Sequence, residues 1–312
     1  MYNARTLLAE LGYAKGDAYD LPSSEKRFPD GAQYRFELAS VEGPAAVEAA
    51  LEEASRRGLD VHRLSQGSGI QMATDEEFER MLSATRSAGV ELSAFPGPRG
   101  TWGTTPTPNT VAGHNLAHQS EGMDRLRHLL DDVARGLSLG VRGLTIADRG
   151  AIRILNEARS RGIVPGDLVI KASALAGLGA NPVSAQEAVD LGVDSLNVPS
   201  ALTLPQLAAI RKRIDIPIDI YVEAPDSFGG FVRTYDVPEI IRVAAPVYIK
   251  IGIRNSPELY PAGRHLEQET VLLAEEKVHR MQTIRAVVER FYPEAAASGR
   301  GAKGLGVPAA AV

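Results

Sequence analysis

The sequence of 312 residues contains no cysteine. This absence excludes disulfide bonds, thiolate zinc sites, iron–sulfur clusters held by cysteine and a cysteine nucleophile. Any chemistry in this protein must therefore use hydroxyl groups, lysine, carboxylates or histidine.

Long apolar runs and an excess of positive charge are also missing. No stretch approaches the ~20 apolar residues of a membrane span, so we expect no membrane partner. The 34 Lys and Arg against 39 Asp and Glu give a net charge of −5, which repels polyanions and argues against nucleic-acid binding. The first residues, with Arg5 and Glu10, lack the apolar block of a secretory signal, and we expect a cytoplasmic protein.

One pattern recurs along the chain: a short β-branched or apolar run, then turn residues, then a helical segment of about three turns. The eight predicted strands are Tyr34–Ala39, Val61–Leu64, Val90–Phe95, Val141–Ile146, Leu168–Ala172, Ser195–Val198, Ile218–Val222 and Val247–Ile251. The helices that follow them are Pro44–Arg57, Asp75–Ala88, Glu121–Leu139, Gly150–Arg161, Ser184–Leu191, Leu204–Arg213, Val237–Val243 and Leu266–Phe291. Eight such units predict a parallel α/β fold, a single (β/α)₈ TIM-type barrel, with a doubly wound open sheet as the alternative.

The domain organisation follows from this pattern. We predict one barrel domain over 34–293, because no linker interrupts it. Residues 1–33 form an N-terminal extension, with a short helix followed by a lid or a plug at the bottom of the barrel. Residues 294–312 form a Gly-rich, low-complexity tail that we expect to fray or to reach a neighbouring subunit. This tail and the long last helix predict a homo-oligomer.

Active-site residues of such barrels lie at the C-terminal ends of the strands. The polar residues at or near these ends are Glu37, Ser65, Gln66, Ser93, Thr145, Asp148, Lys171, Ser173, Asn197, Ser200, Tyr221, Glu223, Lys250 and Arg254. So many ionisable groups at one end of a barrel indicate an active site.

Three carboxylates in this set are candidate catalytic residues. Glu37 lies between Phe36 and Leu38, so strand alternation predicts that its side chain points into the barrel, where an unpaired carboxylate would be costly. Glu223 begins a loop too long for a plain connection and is the preferred general acid or base. Asp148 opens a helix, where it either takes part in catalysis or caps the helix.

Two lysines and an arginine are the candidate cations. Lys171 either forms a Schiff base or stabilises charge as a catalytic residue, or it forms a structural ion pair with one of the three carboxylates. Lys250 has the same two interpretations, with a preference for binding an anion of the substrate together with Arg254.

The remaining candidates are substrate-binding residues. Gln66 and Asn197 lie at strand ends, and the irregular segment Pro96–Ala117 is long enough to form a lid or binding loop. His114 within this segment either shuttles protons near the mouth or is a solvated or packing imidazole.

We predict no cofactor. A Mg²⁺ or Mn²⁺ site built from Glu37, Asp148 and Glu223 is a minor alternative, because no recognisable ligand spacing supports it. The run Gly67-Ser68-Gly69 after a strand could cradle a phosphate with its backbone N–H groups, although such a short motif is weak.

Several motifs between Thr145 and Glu258 carry a family resemblance. They are Asp148-Arg149-Gly150 after a strand, Ser173, Asn181, Ala188 with Leu191-Gly192-Val193, Leu202, Leu204, and Lys250-Ile251-Gly252-Ile253-Arg254-Asn255-Ser256-Pro257-Glu258. The last resembles the KIEGRxxSPEY-like signature of the collagenase-like peptidase family of unassigned catalytic type. This resemblance implies a barrel and an enzyme, in a divergent, cysteine-free member. It does not imply the iron–sulfur cluster of some members, since their cysteines are absent.

These features together predict an enzyme that acts on a small polar or anionic metabolite by hydrolase-like acid–base chemistry. Glu37 or Glu223 would move a proton, while Lys171, Lys250 and Arg254 would stabilise an oxyanion. Two alternatives remain open: a lyase or aldolase that uses Lys171 or a divalent metal, and a non-catalytic binding or assembly protein.

Overall fold

The computed structural model of the protein describes residues 3–10, 20–98, 110 and 118–310. Eight parallel strands pair in chain order, and β8 closes on β1, so the described fold is a closed barrel. The strands are β1 Tyr34–Leu38, β2 Arg63–Gln66, β3 Glu91–Ala94, β4 Gly143–Ile146, β5 Val169–Ala172, β6 Ser195–Asn197, β7 Ile218–Glu223 and β8 Val247–Ile251. The predicted (β/α)₈ barrel is confirmed, and the open sheet is wrong.

A helix follows each strand, and a further short helix precedes β1. The helices are α1 Ala4–Glu10, α2 Pro44–Arg56, α3 Asp75–Ala88, α4 Gly122–Leu139, α5 Arg149–Ser160, α6 Pro182–Asp190, α7 Leu204–Arg213, α8 Val237–Ala244 and α9 Glu267–Phe291. Local chemistry sets their ends: α3 begins at a capping box between Thr74 and Glu77 and ends at Gly89 in the left-handed conformation. Among the described helices, none has the length and apolar character needed to cross a membrane.

The hydrophobic core lies between the barrel and the helices. Alternate strand residues point outward into it and are buried, among them Phe36, Leu38, Leu64, Leu92, Leu144, Ile170, Leu196, Ile220 and Ile249. Each fully buried side chain of this kind stabilises the fold by about 1.5–3 kcal/mol. Because the outward residues form the hydrophobic core, the inward-pointing residues of the same strands can be polar.

The N-terminal extension closes the bottom of the barrel, as one of the two predicted roles required. The ring of Phe28 packs 4.0 Å from the guanidinium carbon of Arg35 and edge-on against Tyr248, with ring centroids 5.3 Å apart. Both partners are inward residues at the N-terminal ends of their strands. The described part of the extension therefore includes a bottom plug.

The C-terminal tail covers the same end of the barrel. The carbonyl of Lys303 accepts a hydrogen bond of 2.8 Å from Arg35, and Gly306 N–H donates to the buried Glu91 carboxylate at 3.1 Å. The expectation that the tail frays is wrong for residues 294–310, because its backbone satisfies charged groups inside the barrel.

Candidate active site

The interior of the barrel is polar. Barrels of this type are usually filled by bulky branched apolar side chains. Here the inward positions of the strands carry Arg35, Glu37, Arg63, Ser65, Glu91, Ser93, Thr145, Lys171, Ser195, Asn197, Asp219, Tyr221, Tyr248 and Lys250, all of them buried. Burying this many charges is costly unless they are paired, so their arrangement defines what the interior can do.

The lower of two charged layers consists of Arg63, Glu91 and Asp219. The Arg63 guanidinium donates to Glu91 at 2.6 Å and 3.3 Å, to Asp219 at 3.0 Å and, in the layer above, to Glu37 Oε2 at 3.2 Å. Its carbon also lies 3.9 Å from the centroid of the Tyr248 ring. Burial opposes the charge on Arg63, but these carboxylates outweigh burial and raise the pKa of Arg63 well above its usual value.

Asp219 is the unusual member of this layer. Its Oδ1 accepts from Arg63, whereas its Oδ2 is buried without a hydrogen-bond partner among the described residues. Burial raises the pKa of Asp219 to about 7, against the lowering effect of Arg63. This carboxyl is therefore the acidic group of the interior that most readily holds a proton.

The upper layer consists of Glu37, Lys171, Lys250, Ser65 and Asn197. One oxygen, Glu37 Oε1, is shared by Lys171 Nζ at 2.6 Å, Ser65 Oγ at 2.7 Å and Lys250 Nζ at 3.0 Å. Burial alone would raise the pKa of Glu37, but Lys171 and Lys250, together with the guanidinium of the lower layer, hold it well below its usual range. Glu37 is thus a permanent anion and a weak base.

The two lysines of this layer differ in their protonation. Burial lowers the pKa of Lys171 to about 8, because it outweighs the attraction of Glu37. Lys250 is also buried, but Glu37 and the Tyr221 ring outweigh burial and raise its pKa above the usual value. Lys250 Nζ donates to Asn197 Oδ1 at 2.8 Å and lies 4.6 Å from the centroid of the Tyr221 ring. Lys250 is therefore the fixed cation, and Lys171 the lysine that can lose its proton near neutral pH.

A cavity of about 330 Å³ lies at the C-terminal mouth, above the upper layer. Of that layer, Lys250, Ser65 and Asn197 line the cavity, whereas Glu37 and Lys171 are fully buried behind them. Other lining residues are Gln66, Phe95, His118, Thr145, Ser173, Tyr221, Phe228, Glu258 and Tyr260. Among the described residues, Lys250 is the one lysine or arginine in this lining; its ammonium is ion-paired with Glu37 at 3.0 Å, and Glu258 lines the same cavity.

Comparison with solved structures supports the architecture. The chain is similar to the YdjI aldolase from Escherichia coli K12 at 15% identity, covering 81% of this chain and 91% of that one, with a TM-score of 0.50. It is also similar to the U32 peptidase Mk0906 at 17% identity, covering 78% and 99%, and to orotidine 5′-monophosphate decarboxylase from Methanocaldococcus jannaschii at 10% identity, covering 85% and 98%; each of these has a TM-score of 0.45. No family model and no curated protein sequence matches. At 15% identity the likeness to the aldolase shows the fold alone, and the family resemblance of the sequence stays a prediction.

Five of the predicted site residues lie together. Glu37, Lys171, Asn197 and Lys250 form one hydrogen-bonded group, and Gln66 lines the cavity beside it. The inward orientation that alternation predicted for Glu37 is confirmed. Of the two roles predicted for Lys171, the ion pair is present, and its partner is Glu37. A catalytic role stays a prediction.

Glu223, predicted to be the general acid or base, does not line the cavity. Its carboxylate accepts from the backbone N–H of Arg254 at 3.2 Å and pairs with Arg280 of α9 at 3.2 Å. An irregularity in the pairing of β7 between Tyr221 and Glu223 shifts the register, so that Tyr221 lines the cavity and Glu223 does not. Glu223 therefore cannot act on a molecule in this cavity from the described position.

Two more candidates lie away from the cavity, and a third cannot be placed. Asp148 caps α5 through a 2.7 Å hydrogen bond from Ala151 N–H, which is the structural one of its two predicted roles. The side chain of Arg254 is 58% exposed and lies 4.0 Å from Asp226. His114 and most of the predicted lid lie outside the described residues.

The described residues do not form the metal site or the open phosphate-binding turn that the sequence offered as alternatives. Glu37, Asp148 and Glu223 occupy three separate places, and within the described residues no cluster of three or more His, Asp or Glu side chains is suited to a metal ion. The N–H groups of Gly67 and Ser68 already donate to the carboxylate oxygens of Glu42, at 2.6 Å and 2.9 Å. This turn is therefore occupied by a side chain of the protein itself.

The lower layer was not predicted from the sequence. Arg63, Glu91 and Asp219 lie in the middle or at the start of strands, whereas the predicted site residues lie at strand C-terminal ends. The signal was present as period-two alternation: Arg63 and Glu91 are each followed by an outward leucine, and Asp219 lies between two outward isoleucines.

Proposed function

We propose that the protein is a barrel enzyme that binds a small anionic metabolite in the cavity at the mouth and performs hydrolase-type chemistry on it. Lys250 would hold the carboxylate or developing oxyanion of the bound molecule. The observation that carries this proposal is a buried lysine that lines the cavity and is kept charged and fixed by Glu37 and Asn197.

A cation placed in this way favours catalysis for a physical reason. In a site of low dielectric constant, a pre-positioned charge stabilises negative charge that develops in the transition state without reorganising. Removal of one such donor typically costs about 10²–10³-fold in kcat. The cavity volume of about 330 Å³ suits a small metabolite.

Proton transfer requires another group than the two carboxylates that the sequence suggested. Glu37 is an ion held by three cations, and Glu223 contacts α9. Lys171 has a pKa of about 8 and is linked to the cavity through the hydroxyl of Ser65. We therefore assign proton movement to Lys171.

Binding of small anions tests the proposal. The probes are a panel of mono- and dicarboxylates and their uncharged amides, measured by the shift in Tm and by calorimetry. Wild type and the control Lys212→Met, which removes an exposed lysine of α7, should bind the carboxylates, whereas Lys250→Met should not. Equal binding of amides, or unchanged binding by Lys250→Met, would overturn the proposal.

Turnover separates the enzyme from a binding protein. Esters and amides of the bound carboxylates are incubated with the protein, and products are detected by mass spectrometry. Binding without product formation would favour the non-catalytic alternative.

A lyase that forms an imine on Lys171 is the second candidate, and the lowered pKa of this amine favours it. The amine would attack a carbonyl carbon, and water would leave to form the imine. Borohydride reduction in the presence of small 2-oxo acids would then give a stable adduct on Lys171, lost in Lys171→Met. The full burial of Lys171 behind Ser65 makes this candidate the weaker one.

A further inference from the structure

We propose that Ser65 is the nucleophile of an acyl-transfer reaction and that Lys171 is its general base, so that the substrate is a small ester or amide whose carboxylate product Lys250 would hold. This inference rests on the proposed function, because it uses the same cavity and the same Lys250. It adds a covalent intermediate and a substrate class.

The contact between the two groups is direct. Lys171 Nζ donates to Ser65 Oγ at 2.9 Å, while the Ser65 hydroxyl donates to Glu37 Oε1 at 2.7 Å. When the amine is neutral, rotation of the hydroxyl from Glu37 to Lys171 Nζ makes the amine its acceptor. Ser65 lines the cavity with 8% of its surface exposed, whereas Lys171 has no exposed surface. A bound molecule therefore reaches the hydroxyl and not the amine, which is the order that a nucleophile and its base require.

The surroundings of Lys171 permit it to work as a base. The groups that face it are Glu37 and Asp219, which favour its charge, and Lys250 and Arg63, which oppose it together with burial. The resulting pKa of about 8 leaves a fraction of the amine neutral near pH 7. A neutral amine accepts the proton of Ser65 while one of its N–H groups still donates to Glu37.

Lys250 is the cation nearest to hand for an oxyanion at Ser65. Ser65 Oγ and Lys250 Nζ contact the same Glu37 oxygen, at 2.7 Å and 3.0 Å, and both line the cavity. We therefore assign Lys250 to the oxyanion that would form on a carbonyl attacked by Ser65.

The reaction needs only Ser65, Lys171, Lys250 and water besides the substrate. Ser65 Oγ bonds to the carbonyl carbon, its proton passes to Lys171 Nζ, and the carbonyl π pair becomes the oxyanion beside Lys250. The oxyanion collapses, the bond to the leaving alcohol or amine breaks, and this group takes the proton from Lys171. Water then attacks the acyl-Ser65 ester by the same route, releases a carboxylic acid and restores the serine.

Labelling with a fluorophosphonate tests the pair without knowledge of the substrate. We expect one adduct by intact mass, mapped to the peptide of Ser65 and not to that of Ser173, another cavity serine. The adduct should be lost in Ser65→Ala and retained in Ser160→Ala, which removes an exposed serine of α5. Lys171→Arg, which keeps the charge but cannot act as a base, should slow labelling by at least about 100-fold.

The pH profile and an introduced thiol give a second readout. The labelling rate of wild type should rise with pH and level off above about pH 8, where Lys171 is neutral. Ser65→Cys introduces the single thiol of the chain, since the sequence has no cysteine, and its alkylation profile should change when Lys171→Met is added.

The outcomes separate this inference from the proposed function. An adduct elsewhere, no adduct, or an unchanged rate in Lys171→Arg would overturn the serine–lysine pair. If carboxylate binding still depended on Lys250 in that case, the proposed function would stand without it. Loss of both results would overturn both.

Discussion

The two charged layers of the barrel interior both join basic side chains to carboxylates but carry opposite formal charge. The lower layer joins one cation, Arg63, to two carboxylates, Glu91 and Asp219, and the tail covers it from below. The upper layer joins two lysines to the single carboxylate Glu37 and faces the cavity. The layer with more basic than acidic side chains is therefore the one that faces the cavity, where Lys250 can bind an anion.

The accessibility of each layer determines whether its charges act on the stability of the fold or on ligand binding. The Arg63 guanidinium is enclosed by the carboxylates of Glu91, Asp219 and, in the upper layer, Glu37 and by the Tyr248 ring, so its interactions stabilise the fold. In the upper layer a fixed cation and a hydroxyl remain accessible. We therefore expect matched substitutions in the two layers to change different observables, stability below and ligand binding above.

The largest effect is expected for Arg63→Met. The substitution leaves Glu91 and Asp219 buried without their shared cation, and removal of one partner of a buried ion pair typically costs about 3–5 kcal/mol. The free energy of unfolding, from urea denaturation monitored by circular dichroism, measures this loss.

The control for this prediction is Arg80→Met, which breaks an exposed ion pair with Glu48 on the outer surface. It should change stability little, because exposed pairs contribute little. If Arg63→Met were no more harmful than the control, the lower layer would not be the stabilising one.

The residues of the upper layer were predicted because they lie at or near the C-terminal ends of strands, and alternation predicted the inward orientation of Glu37. Glu37 alternates with two outward hydrophobic residues, and Lys250 does the same in β8. The prediction placed Glu223 at the cavity because the register shift of β7 just before this residue cannot be recognised from the sequence. The tail was misjudged because its composition is that of a disordered segment, while its order comes from long-range hydrogen bonds to Arg35 and Glu91.

The next largest effect is expected for Asn197→Ala in the upper layer. Lys250 Nζ loses the amide oxygen at 2.8 Å and keeps Glu37 as its partner, so its position becomes less fixed. A hydrogen bond to a charged group is worth about 1.5–3 kcal/mol, which corresponds to a loss of carboxylate affinity of at least about tenfold. Calorimetric titration measures it. Unchanged affinity would mean that Asn197 does not position the lysine.

An effect confined to one pH range is expected for Asp219→Asn. The folded-state pKa of Asp219 is about 7 against an ordinary value of 3.8, so the folded protein binds this proton more tightly than the unfolded chain. Asp219 therefore lowers the free energy of unfolding as pH rises from about 4 to 7. Glu37 affects the free energy of unfolding in the opposite direction: the stability it contributes is lost as pH falls through its lowered pKa.

Denaturation of wild type and Asp219→Asn at several pH values tests this assignment. The difference in the free energy of unfolding between the two proteins should change steadily in favour of the variant from about pH 4 to pH 7 and level off above. A difference independent of pH would show that Asp219 is ionised throughout.

The smallest effect is expected for Ser298→Ala, which tests whether the tail contributes to closing the lower end. Ser298 Oγ accepts a buried hydrogen bond of 2.9 Å from Arg35 Nε, while Arg35 keeps the carbonyl of Lys303 and the hydroxyl of Tyr248 as partners. Because these partners remain, we expect a loss of about 1 kcal/mol in the free energy of unfolding. Carboxylate binding at the mouth should not change, since the upper layer lies between Arg35 and the cavity. A loss of binding in Ser298→Ala would mean that the two layers act as one unit and that the division between a stabilising and a functional layer does not hold.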